Sequence, residues 1–195
     1  MNKIVLDRKD IIDIKIDKNS VCNIDEKYNI KELNIELKDN IKFIINHKSN
    51  IEKNDLKINI KQNDNSEFIY NHSFINNKEY SLNINIDLLG NNSKNTINIH
   101  GLSDKGTSKI IVDGSVKKDT FDNELYENIK MININDGMSY IYPNMYINTK
   151  NVVANHAASI STINDDYLFH LMSKGIDEYN AKKLIIDGFL RNDSK

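Results

Sequence analysis

Five histidines and a single cysteine are the side chains of this 195-residue sequence best suited to metal or sulfur chemistry near neutral pH. Imidazole titrates in that range and ligates transition metals, while a thiolate is a nucleophile and a sulfur acceptor. The histidines are scattered. His47 and His72 lie in the N-terminal half, His100 ends a strand-like run just before Gly101, His156 sits inside the small-residue run NVVANHAAS, and His170 falls in a helical segment. Taken singly, each is more simply a surface or hydrogen-bonded histidine than a ligand. Cys22 excludes an internal disulfide and any site built from several cysteines of one chain, though not a site shared between subunits. On its own it reads as a quiet, buried thiol. The sequence contains no glycine-rich phosphate loop, nucleophile elbow, zinc-protease helix or paired-cysteine knuckle, so an independent hydrolase or nucleotidyl enzyme has no support.

The elements that must position these residues are mostly strands. IIDIKID, YNIKELNIELK, IKFIINH, LKINIKQN, YSLNINIDLLG and NTINIHG alternate apolar with polar residues, the pattern of a strand with one buried and one wet face. From Ser93 onward the strands TINIHGL, SKIIVDGSV, ENIKMININ, SYIYPNMYI and NVVANHAAS recur at intervals of about 8 to 12 residues. That spacing suits either a sandwich or a stack of β rungs, and periodicity alone does not separate them. Proline occurs once, at Pro143, and the first glycine is Gly90, so asparagine is expected to take the left-handed turn positions.

After Asn164 the period changes to helical. Asn164 or Asp165 can cap a helix through Tyr167, Leu168, Leu171 and Met172, and Gly175 can end it. Asp177 caps a second helix, with Glu178 in its first turn, Lys182 and Lys183 later, and Ala181, Leu184, Ile185 and Phe189 at helical spacing. Two amphipathic helices this short form a hairpin that either caps the preceding domain or docks a partner.

A chain of this length holds one domain with a substantial core, or one domain and a small appendage. Ile and Asn together make up about a third of the residues, well above ordinary usage. The bias is uniform from end to end and reads as a nucleotide preference of the coding genome, not as a prion-like tract. A formal net charge of -2 and a pI near 6.2 argue against a broad basic face for nucleic acid. The apolar runs are too short to cross a bilayer, and MNKIVLDRKD lacks the apolar core of a secretory signal, so the expectation is a soluble cytoplasmic protein.

The residues from Asp104 to Leu190 resemble the C-terminal core of the SufB/SufD family, scaffold subunits of the Suf iron-sulfur cluster assembly machine. The resemblance rests on KGTSKIIVDGSV, on a P-x-MYI strand leading to NHAAS, on LFHLMSKGI, and on A-x-x-L-I-I-x-GFL, in that order. It covers about the last ninety residues; residues 1 to 90 match nothing named, and the chain is around half the usual family length. The resemblance implies a mainly β fold, a right-handed parallel β-helix over residues 1–163, followed by a C-terminal pair of short helices over 164–195. In the family that helical region binds the SufC ATPase, which makes Leu168, Leu171, Met172, Ile176, Leu184, Ile185 and Phe189 the expected partner-binding residues. Family members pair through their β-helices, so the other expected partner is the same chain or another SufB/SufD-type subunit. An open sheet edge at the end of a rung stack gives that pairing a physical basis.

His156 occupies the position of the histidine in the family's SHGA or HEA motif at the subunit interface, and neutral imidazole is a competent iron ligand. It is therefore the one expected metal-binding residue. The departures matter as much. KMININDGMSYIYPNMYI has no cysteine where SufB carries its sulfur-accepting thiol, Ala157 replaces the glutamate that follows the SufB histidine, and Ala154 replaces a cysteine of some SufD proteins. The chain is thus more like SufD. The expected function is that of a non-catalytic subunit with no stably bound cofactor, past which an iron-sulfur cluster moves only transiently. The alternative is a homodimeric scaffold holding a cluster through paired His156, with carboxylates such as Asp136.

Overall fold

The computed structural model describes residues 2–4, 11–24 and 30–191. The greater part of MNKIVLDRKD, the Tyr28–Asn29 start of the YNIKELNIELK run and the tail 192–195 lie outside the described residues. Among the described residues eleven strands precede two helices: β1 (Asn2–Ile4), β2 (Ile11–Ile16), β3 (Ser20–Ile24), β4 (Glu32–Leu37), β5 (Lys42–Gln62), β6 (Glu67–Leu88), β7 (Lys94–Asp104), β8 (Thr107–Val116), β9 (Asn123–Ile134), β10 (Met138–Ile147), β11 (Val152–Ser161), α1 (Asp165–Ser173) and α2 (Glu178–Leu190). Among the described residues every strand pairing is parallel. This decides between the two architectures left open by spacing, because a sandwich is built from antiparallel hairpins. The fold is a β-solenoid of about five turns, the expected parallel β-helix.

Two stacks run along it. One is β1-β3-β5-β6-β7-β9-β11, and the other is β2-β4 continued by the second halves of β5 and β6 and then by β8 and β10. The runs IKFIINH and LKINIKQN are thus not separate strands: both belong to β5, which bends at a register shift between Ile51 and Lys53 and serves both stacks. Ser66 and Ser93 hydrogen bond at one corner and Ser103, Ser108 and Ser139 at another, satisfying polar groups that the bends bury. The left-handed corner positions are held by Asn40, Asn65, Asn92, Lys105, Asp119, Asp122, Asn135 and Asp136, so asparagine does the turn work expected of it, shared with aspartate and one lysine.

In-register stacking places like residues over like. Inside, Leu33, Ile58, Ile84 and Val112 form one column and Phe43 over Phe68 another, all fully or almost fully buried. Outside, Asn23, Asn46, Asn71, Asn98 and Asn128 form a column in which each side-chain amide donates to the oxygen of the rung before it, at 2.9–3.1 Å. A second column runs from Asp13 through Asn34 and Asn59 to Asn85. The excess of Ile and Asn therefore has a structural use: Ile fills the interior columns and Asn builds the exterior ones. Charge alternates along a third exterior column, Lys42, Glu67, Lys94, Glu124, with contacts of 2.8 Å for the first pair and 2.9 Å for the last. These exposed pairs add little stability each, but a shifted register would place like charges together.

Asn164 and Asp177 cap the two helices through their side-chain oxygens, and Gly175 turns between them at φ 86°. Leu168 and Ala181 are buried. α2 lies against β7: His100 Nδ1 donates to the Phe189 carbonyl oxygen at 2.7 Å, and the two rings stack with centroids 5.0 Å apart. Among the described residues no helix is long and apolar enough to cross a membrane.

His47 and His72 are also explained. Both are buried, their tilted rings 4.3 Å apart between centroids, with His47 Nδ1 2.8 Å from the Tyr70 hydroxyl and His72 Nε2 3.0 Å from that of Tyr80. Burial pushes the His72 imidazole down to about 4 and His47 well below its usual range. Both are neutral in the native state, whereas the unfolded chain protonates them near pH 6.5. Stability is therefore complete above pH 6.5 and falls as pH drops from 6.5 to 4, by about 3 kcal/mol for His72 alone. Urea unfolding at pH 7, 6 and 5 should show this slope, and His72→Phe should reduce it to the part that His47 contributes. A second prediction concerns α2. His100→Ala removes one stack and one hydrogen bond, so hydrogen exchange in α2 should accelerate about tenfold while β5 and β6 keep their protection.

Candidate functional site

The C-terminal end of the solenoid is where interior and surface meet. β11 pairs only with β9 and β10 only with β8, so among the described residues one edge of each strand has no neighbour. β11 is exposed along nearly its whole length. On β10 the residues Met138, Tyr140, Tyr142 and Tyr146 alternate outward and are exposed, with the Lys109 ammonium 5.8 Å from the Tyr142 ring centre. Alternating aromatic residues beside unpaired backbone suit a surface that a further sheet or subunit could cover.

His156 lies in this end strand and is exposed. Its Cα partner one rung below is Glu127, and the same interior column continues downward through Ile97, Tyr70 and Ile45 to Cys22. The column is apolar through most of the solenoid and changes to a carboxyl and an imidazole in its last two rungs. Glu127 has no exposed surface, and neither of its carboxyl oxygens has a hydrogen-bond partner. Its space comes from the facing stack, where the column Ile35, Ile60, Ile86 is followed by Gly114. A Cβ on Gly114 would lie 2.9 Å from Glu127 Oε1 and 2.5 Å from a Leu125 methyl. Burial, and secondly the nearby Asp113 carboxylate, push the Glu127 carboxyl up to about 8, so it is mostly protonated at neutral pH.

Glu127 was not singled out from sequence, although a signal existed. In LYENIKM the inward positions are Leu125, Glu127, Ile129 and Met131, and a lone carboxylate in such an alternation is unusual. What sequence could not supply was the 29-residue rung that stacks Glu127 under His156.

The other candidates are dispersed. Cys22 is buried at the opposite end of the column, and burial pushes its thiol up to about 11, far from thiolate chemistry at neutral pH. Asp136 is an exposed residue of the left-handed β9–β10 turn. His170 is exposed on α1. Among the described residues no three His, Cys, Asp or Glu side chains converge to hold a metal ion.

The seven helical residues expected to bind a partner divide in two. Leu168 is buried, and Leu171, Ile176, Ile185 and Phe189 are half-buried, with Phe189 engaged by His100. Met172 and Leu184 are exposed. They are joined by Tyr167, which the helical spacing marked, and by Phe169 and Tyr179, the last 75% exposed, which it did not. A hairpin with its apolar seam turned inward still presents five large apolar or aromatic side chains to solvent.

Comparison with known proteins bears on this arrangement. The family model described as "SUF system FeS cluster assembly, SufBD core domain" matches residues 14–189, which includes the N-terminal rungs that no resemblance had reached. An iron-sulfur cluster assembly SufBD family protein of Synechocystis sp. is 40% identical over 47 residues, covering 24% of this chain and 10% of that relative. The matched segment is thus a tenth of the relative's length. With β3 to β11 and nearly all of the helical hairpin inside the matched span, this chain belongs to the SufBD family.

Proposed function

We propose that this chain is a non-catalytic subunit of a Suf-type iron-sulfur cluster assembly complex, more like SufD than SufB, which binds a SufC-like ATPase through its C-terminal hairpin and pairs through the end of its solenoid. The observation that carries this reading is the hairpin's division of labour. Leu168 and Ala181 are buried while Tyr167, Phe169, Met172, Tyr179 and Leu184 remain in solvent. A short hairpin that spends its buried residues on holding its shape has the other face free to dock. The family's ATPase is the occupant that family membership supports. For pairing, β10 and β11 each offer one strand edge that is unpaired among the described residues, and β10 adds an aromatic outer row, suited to the same chain or to another SufB/SufD-type subunit. ATP hydrolysis in the bound partner would then move the hairpin and, through it, the paired ends.

Pull-down of the full chain with the partner ATPase tests this. Leu184→Asp and Phe169→Asp should each weaken binding about tenfold or more, the loss expected for a buried apolar contact at an interface. Unchanged binding by both variants would remove the hairpin from the model.

A second reading is favoured by one observation, the buried Glu127 carboxyl directly beneath His156. In it the chain is a homodimeric scaffold that holds a cluster at its paired ends, the cluster being cargo. Anaerobic reconstitution with iron and sulfide should then give a stable chromophore that His156→Ala loses; a colourless wild-type protein excludes this reading.

A further inference from the structure

The last two rungs are built differently from the rest of the solenoid. The interior column Cys22, Ile45, Tyr70, Ile97 ends in Glu127 and His156, and the facing Ile column gives way to Gly114 where the carboxyl needs room. Both changes would be needless for packing alone: a leucine would fill the Glu127 position without leaving two carboxyl oxygens unpartnered in the interior. A buried acid without a hydrogen-bond partner, beneath a solvent-facing imidazole, offers an oxygen and a nitrogen that one cation could share. In-register parallel strands hold the two backbones about 4.8 Å apart. That spacing allows one cation to lie about 2.1 Å from an oxygen of one side chain and a nitrogen of the other.

We infer that Glu127 and His156 are two ligands of a divalent first-row transition-metal cation, bound at the open end of the solenoid. One carboxylate and one imidazole suit Fe²⁺, Co²⁺ or Zn²⁺ better than Mg²⁺ or Ca²⁺, which favour all-oxygen shells. Since no third such donor converges among the described residues of one chain, the remaining coordination positions face the open end. Water fills them in a single chain, and a second copy can reach them in a dimer. The assignment deepens the His156 reading above and rests on it for the imidazole. It adds Glu127 as the companion ligand, Gly114 as the residue that makes its space, and the cation class.

Co²⁺ is the probe, titrated anaerobically into the full chain and followed by its visible d–d absorption. The expected result is saturation at one Co²⁺ per chain, displacement by Zn²⁺, and at least tenfold weaker binding in both Glu127→Gln and His156→Ala. Glu127→Gln keeps size and shape, and a thermal melt of each variant confirms that the fold is retained. Joint loss in both variants supports the pair. Wild-type binding by Glu127→Gln overturns it, and if His156→Ala alone loses Co²⁺, the imidazole stays in the reading while Glu127 leaves it. Absence of Co²⁺ binding by the wild-type chain overturns the assignment outright. Sedimentation of the same samples shows whether a second copy completes the shell. Because the ATPase pull-down uses separate variants on the hairpin, its failure leaves the cation result unaffected.

Discussion

Parallel pairing in exact alignment, rung over rung, is the constraint on which everything else in this molecule depends. Strands about 4.8 Å apart bring each residue against its counterpart one turn earlier. A turn can succeed only if its outline repeats that of its neighbour. Rungs of 18 to 31 residues meet this by varying their corners: Lys42 pairs with Glu67, Glu67 with Lys94 and Lys94 with Glu124, though the intervening lengths differ. Left-handed Asn40, Asn65 and Asn92 absorb the variation, and the alternating Lys and Glu penalise slippage. The fold is in this sense one-dimensional, with each turn supported by its two neighbours.

That constraint explains which parts of the molecule were legible in sequence. Alternation revealed the strands and their buried faces, because Ile, Leu and Phe recur at every second position. The caps at Asn164 and Asp177 and the turn at Gly175 were readable because each is a local event. Parallel stacking was legible only through the family resemblance, since alternation is equally compatible with hairpins. The continuity of β5 and β6 through their corners was not legible, because there the apolar pattern breaks while the backbone pairing continues. The meaning of the asparagines also needed the third dimension. A uniform bias looks like background until Asn46, Asn71 and Asn98 are seen hydrogen-bonded in a row.

The site was half legible for the same reason. His156 stood out through the resemblance of its strand to a family motif, while Glu127 is 29 positions away and meets it only through the ladder. Likewise, helical spacing marked the apolar residues of the hairpin but not which way they face. Leu184 remains outward, whereas Phe189 turns in to stack on His100, a contact between residues separated by 89 positions. His47 and His72, equal candidates by residue type, are structural: their ring nitrogens are engaged by tyrosine hydroxyls in the core.

The outer amide column stops one rung before the end. Each of its amides donates toward the N-terminal side, so Asn128 presents an acceptor toward β11, where the next position in register is Ala157. A stack of turns is by nature open to indefinite growth, since any added strand finds the same template that the last one did. Replacing the sixth asparagine by a methyl group withdraws the side-chain half of that template and leaves only the backbone half. Further copies joining end over end would gain no continuing amide chain, so the side-chain ladder that ties one rung to the next does not extend past this end.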